Sequence, residues 1–101
     1  MIIVWGSIET TADNLEMVLS LSLEHVRRSR QEVGCISHDA HIHLEKPHCV
    51  VFYEQWQDMA TLRDHFAVPE SAQFVAAVTE LATTVPEIRI FDARPITGGM
   101  S

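Results

Sequence analysis

His38, Glu54, Trp56 and His65 are the residues of this chain whose types and spacing can do proton chemistry. Period-two alternation sets His38 beside Ile36 and Ala40 on one face of a strand. Glu54 and Trp56 share that face on the next strand, and His65 sits on the short helix that follows. Two imidazoles, a carboxylate and a flat aromatic wall suit proton transfer on an aromatic or quinol-like substrate. Phe52, Phe66 and Phe74 supply further apolar lining for such a pocket. The competing reading is structural: Trp56 as core, Glu54 paired with an arginine, His65 as a cap or facing solvent.

A second histidine group is chemically different. His41 and His43 lie two apart on one strand face, near Asp39 and close in sequence to His48. Imidazoles at that spacing can share a metal with a carboxylate. Spacing alone is weak support, and a polar rim near a hairpin explains the same residues, so no metal is expected. Glycine-rich phosphate loops, Cys-x-x-Cys, His-Glu-x-x-His and Gly-x-Ser-x-Gly are all missing from the sequence. Nucleotide binding, structural zinc and serine hydrolysis therefore have no support.

The elements that must position these groups follow from the pattern. Residues 2 to 9, rich in Ile, Val and Trp, read as a first strand buried on both faces. Asp13 and Glu16 have capping-box spacing for a helix whose apolar positions are Leu15, Val18, Leu19, Leu23 and Val26. Arg27, Arg28 and Arg30 suit its C-terminal end, and Gly34 is expected to stop it. Cys35–Leu44 and Cys49–Trp56 read as two strands joined by a loop containing Pro47. Asp58 caps a short helix through Phe66. Pro69 opens another, with Phe74, Val75, Val78 and Leu81 along it and Pro86 at its end. Ile88, Ile90 and Phe91 form a last strand.

That order predicts an α+β, ferredoxin-like split βαβ with one antiparallel sheet over residues 1–96, and a flexible tail over residues 97–101. Helices cover one sheet face only. The other carries Ile3, Trp5, Val51 and Tyr53, which is too apolar to leave in water. A homodimer through that face is expected. Cys35 and Cys49 fall at opposite ends of the hairpin, roughly 25–30 Å apart at about 3.3 Å per residue. An intrachain disulfide is thereby excluded, in keeping with a reducing cytoplasm.

Composition narrows the classes further. The chain of 101 residues is 47% hydrophobic and 21% charged, which suits one small folded unit rather than a disordered one. Its net charge of −7 argues against nucleic acid and anionic membrane surfaces as partners. No apolar run approaches a membrane span, and the N-terminal segment does not read as a signal peptide.

The phrase Phe52-Tyr53-Glu54-Gln55-Trp56, followed by His65-Phe66, Pro69 and Phe74, resembles the antibiotic biosynthesis monooxygenase family of dimeric α+β barrels. Small bacterial quinol monooxygenases look closest. Gly34-Cys35 at the start of the second strand fits the same pattern, and the resemblance runs from Ile2 to about Pro95. It implies a pocket between sheet and helices. For some members it also implies oxygenation of polyphenols without metal, flavin or haem. The haem-degrading members carry an Asn, a Trp and a His at set positions. This chain keeps Trp56 but has Gly6 near the Asn position and Val78 near the His position, so haem degradation is disfavoured. His38 stands where relatives often carry Tyr.

The leading expectation is a cytoplasmic, cofactor-free monooxygenase acting on a small aromatic, polyphenol or quinol. His65, with His38, removes a hydroxyl proton. Trp56, Phe52, Phe66 and Phe74 hold the ring, and Glu54 orients a base. Isomerisation of a small carbonyl compound by histidine-mediated proton transfer is the first alternative. A non-catalytic ligand-binding or dimerisation module is the second.

Overall fold

β-Branched residues build the first strand, β1 (Ile2–Glu9), which runs antiparallel to both of its neighbours. The computed structural model describes residues 1–96. The remaining elements are α1 (Leu15–Ser29), β2 (Cys35–Ile42), β3 (Cys49–Trp56), α2 (Met59–Ala67), α3 (Pro69–Leu81) and β4 (Glu87–Asp92). The sheet order is β2-β3-β1-β4, the antiparallel split βαβ expected from the pattern. The expected loose tail, 97–101, lies outside the described residues.

Register decides which side chains meet. Val4 pairs with Glu54 and Glu54 with His38, so all three point to the helical face. Trp5, Tyr53 and Asp39 align on the open face. The apolar core forms two clusters. Ile8, Val18, Val26, Val50, Phe52 and Val78 make one, and Ile2, Val4, Trp56 and Leu62 make the other. The polar residues of the candidate site lie between them, with the His38 ring 6.4 Å from Phe52 and 6.3 Å from Trp56.

Several boundary expectations need correction. The Asp13–Glu16 capping box does not form: Asn14 is the N-cap, without a side-chain cap bond. Leu23 is exposed. The buried stripe of α1 is Val18, Ser22, His25, Val26 and Ser29, because the helix rotates a small polar edge, not Leu23, onto the sheet. The helix ends at Ser29, before Gly34. β2 stops at Ile42, and Leu44 is fully exposed beyond it. α3 ends at Leu81, ahead of Pro86. β1 is buried at Ile2, Val4 and Ile8 on its helical face, while Ile3 and Trp5 on the other are partly exposed.

Gly34 has a different task from the one expected. Its φ of +85° needs a residue without Cβ, and an added Cβ would lie 2.4 Å from the Thr61 side chain. Thr61 belongs to the capping box that Asp58 makes at the start of α2. Gly34 O also accepts from Gln57 N at 2.8 Å. The start of β2 is thus seated directly on the helix that carries His65.

Candidate functional site

Three buried imidazoles meet between α1, β2 and α2. The ring centroids of His25 and His38 are 5.3 Å apart, those of His25 and His65 5.3 Å, and those of His38 and His65 5.7 Å. His38 and His65 are therefore brought together, as the spacing suggested. His25 is the member that sequence reading missed. Its signal was the run Ser22, His25, Ser29, whose spacing of three and four residues puts small polar groups on one edge of a helix.

Each ring has a different partner. His65 Nδ1 lies 2.8 Å from Glu32 Oε1. His25 Nδ1 lies 2.6 Å from Arg28 Nη2, and the His25 ring stacks on Phe74 at 4.1 Å and 5°. His38 Nε2 is 3.2 Å from Glu54 Oε1, close enough for charge attraction but off the hydrogen-bond direction, so neither ring nitrogen has a formal bond. Arg30 Nε donates to the His38 carbonyl at 3.0 Å and ties β2 to the end of α1. Glu54 Oε1 also accepts the Trp56 indole N–H at 2.9 Å.

These contacts set the charges. Burial pushes His25 down to about 3, helped by His38, His65 and Arg28, so this ring is neutral. For Glu54, burial works upward, but the adjacent His38 and the Trp56 N–H outweigh it and hold the carboxyl below its ordinary value. Burial raises the thiols of Cys35, with Glu54 and Glu32, and of Cys49, with Glu9. Neither is a poised nucleophile.

A cavity of about 260 Å³ opens beside the cluster. His25, Glu54 and His65 face it among largely apolar walls that include Phe52, Phe66 and Phe74. The expected lining residues Phe52, Glu54, Phe66 and Phe74 are thus at the cavity. Trp56 and His38 are not. Both are 0% exposed, Trp56 packed with Val4 and Leu62 and His38 lying behind Glu54 and His65. Alternation chose the correct face for them, but the depth of the pocket excludes them from its wall.

One nitrogen from each of His25, His38 and His65 falls within 4.8 Å of the other two, the one three-residue ligand set among the described residues. Its composition would suit zinc or another first-row metal. The partners do not. Arginine only donates, so the His25 Nδ1 beside it is a lone pair and the proton is on Nε2. A metal there would have to displace that proton next to a guanidinium. The His41, His43 and His48 group forms no such set, and His43 Nδ1 instead accepts the Glu45 backbone N–H at 3.0 Å.

The model of the antibiotic biosynthesis monooxygenase (ABM) family matches residues 1–77. The chain belongs to that family. An uncharacterized Synechocystis protein, sll1783, is 32% identical over 90 residues, covering 89% of this chain. The chain spans 61% of the length of that relative. Among solved ABM-like structures, a candidate antibiotic biosynthesis monooxygenase from Deinococcus radiodurans superposes with a TM-score of 0.94 at 24% identity, covering 100% of both chains. A second crystal structure described as an antibiotic biosynthesis monooxygenase gives 0.86 at 27% identity over 94% of this chain and 100% of that one. Rv0793 from Mycobacterium tuberculosis gives 0.87 at 20% identity over 96% and 98%, a likeness of fold. The α+β ferredoxin-like architecture of the ABM fold is shared across them.

Proposed function

We propose that this ABM-family chain oxidises a small aromatic or quinol substrate in the 260 Å³ cavity, using oxygen without metal, flavin or haem. The observation that carries the reading is His65, set in an apolar cavity wall with Glu32 2.8 Å behind its Nδ1. Glu32 holds the ring so that Nε2 can take a substrate hydroxyl proton. The resulting phenolate is electron-rich enough to pass an electron to oxygen. One oxygen atom then enters the ring and the other leaves as water, with the substrate supplying all the electrons. Glu54, at the cavity wall, and His38 behind it hold the charge of the cluster.

Oxygen uptake separates this reading from its rival. With hydroquinone-type substrates the protein should consume oxygen in step with product formation and be inactive under nitrogen. Turnover that continues without oxygen would mean isomerisation by the same proton-moving groups. Binding without turnover under either atmosphere would mean a ligand-binding module.

We also propose a homodimer through the open sheet face. Trp5, Tyr53 and Phe91 lie on that face, partly or half exposed, with the Arg89 guanidinium 5.5 Å from the Trp5 ring. Light scattering should give the mass of two chains, and Tyr53→Glu should shift it toward one. A monomeric wild type removes the proposal. Cys35 and Cys49 are both free, which fits a reducing cytoplasm as the site of action. No helix among the described residues is long and apolar enough to cross a membrane.

A further inference from the structure

His25 and His65 are neighbouring rings with opposite partners. The donor-only guanidinium of Arg28 occupies the lone pair at His25 Nδ1, so His25 presents Nε2–H. The Glu32 carboxylate accepts a hydrogen bond from the Nδ1–H of His65, so neutral His65 presents a bare Nε2. Both rings line the cavity, and neither Nε2 has a hydrogen-bond partner among the described residues. Phe74 stacks flat on His25, which opposes rotation of the ring out of this plane.

A hydroxyl oxygen accepts one hydrogen bond and donates another, each about 2.8 Å long, so it can bridge two nitrogens up to about 5 Å apart. One ring nitrogen of His25 and one of His65 lie within 4.8 Å of each other, inside that reach. We infer that His25 is a binding and catalytic residue, its Nε2–H donating to the substrate oxygen that loses its proton to His65.

The proton balance is simple. The substrate O–H bond breaks, the proton forms an N–H bond at His65 Nε2, and the electron pair stays on oxygen. His65 becomes an imidazolium facing Glu32, and the oxyanion keeps the hydrogen bond from His25. A fixed donor aimed at developing negative charge favours the ionised over the neutral ligand. Because His25 is neutral, it holds the anion without itself being the acid. The charged or titratable groups around it are Arg28 on its own helix, His38 from β2, Glu54 from β3, His65 from α2, and Glu32. The ligand class is an acidic hydroxyl on a small aromatic ring, rather than an ether or a ketone.

This inference rests on the proposed reading of His65, but its test does not need turnover. The probe is 4-nitrophenol, which resists oxidation and changes its visible absorbance on ionisation, titrated into the protein under nitrogen with EDTA present. The wild type is expected to bind the anion at a pH where free 4-nitrophenol is still largely neutral. 4-Nitroanisole, which has no proton to give, should bind at least about tenfold more weakly than the phenol. His25→Phe keeps the stack on Phe74 but removes the donor, and should weaken anion binding at least about tenfold. His25→Gln restores an N–H near the Nε2 position and should recover most of the loss. Should His25→Phe fail to fold, Arg28→Met frees the His25 tautomer and should weaken anion binding several-fold. Equal binding by phenol and ether, indifference to the His25 and Arg28 substitutions, or loss of binding in EDTA overturns the inference. None of these results depends on whether a hydroquinone consumes oxygen, so the two readings fail separately.

Discussion

His65→Ala is expected to lower oxygen uptake with a hydroquinone by about 10²–10⁴-fold, the range a positioned general base contributes. His65 is the one imidazole that both lines the cavity and has a carboxylate behind it. Glu32→Gln leaves the ring in place but weakens the partner that fixes its tautomer, and should cost about tenfold. The ring of His65 also tilts against Trp56 at 4.6 Å, so its removal leaves a void in the core. The loss therefore has to be measured on protein whose near-UV circular dichroism matches the wild type. An oxygen-electrode rate in His65→Ala within a few-fold of wild type removes His65 from the chemistry.

The second large effect is on stability in acid. His25 titrates at about 3 when folded and near 6.5 when unfolded. Between those values the unfolded chain binds a proton that the folded chain refuses, so stability falls as pH drops through the window. At pH 5 the loss amounts to about 2 kcal/mol, at about 1.36 kcal/mol for each unit of displacement. Glu54 acts lower. Its folded value is depressed, so its contribution is present above the ordinary carboxylate value and lost only as pH falls through the depressed one. Unfolding free energies from urea melts at pH 7 and pH 5 should therefore differ clearly in the wild type, and the difference should be about 2 kcal/mol smaller in His25→Gln. His41, His43 and His48 lie outside the cluster, are common to both proteins and cancel in the comparison. An unchanged pH sensitivity in the variant contradicts the neutral, buried state of His25.

The strands were legible because alternation is a backbone property. Ile2–Glu9 and Cys49–Trp56 match their expected bounds. Position relative to a cavity was less legible. Glu54 and Trp56 occupy one face of one strand, yet only Glu54 reaches the cavity, because Leu62 and His65 of α2 pack over Trp56. His25 was hidden for a related reason. A search for apolar periodicity assigns Leu23 to the core and passes over a histidine flanked by serines. The buried edge of α1 is chosen by the cluster it must fit, where His25 meets Arg28 and Ser29 Oγ donates to the His25 carbonyl.

The innermost and outermost parts of the sheet are joined at very different sequence distances. The Met1 ammonium bonds the Ala93 carbonyl across a separation of 92 residues, and β4 is exposed along its whole length. Contacts of that span are entropically the last to close, and an edge with so little burial is the first to open. Pro86, Glu87 and Ile88, at the start of this edge, also wall the cavity. In the single chain, loosening of β4 would therefore widen the space beside the histidines. A second copy covering Phe91, as proposed, would oppose that loosening.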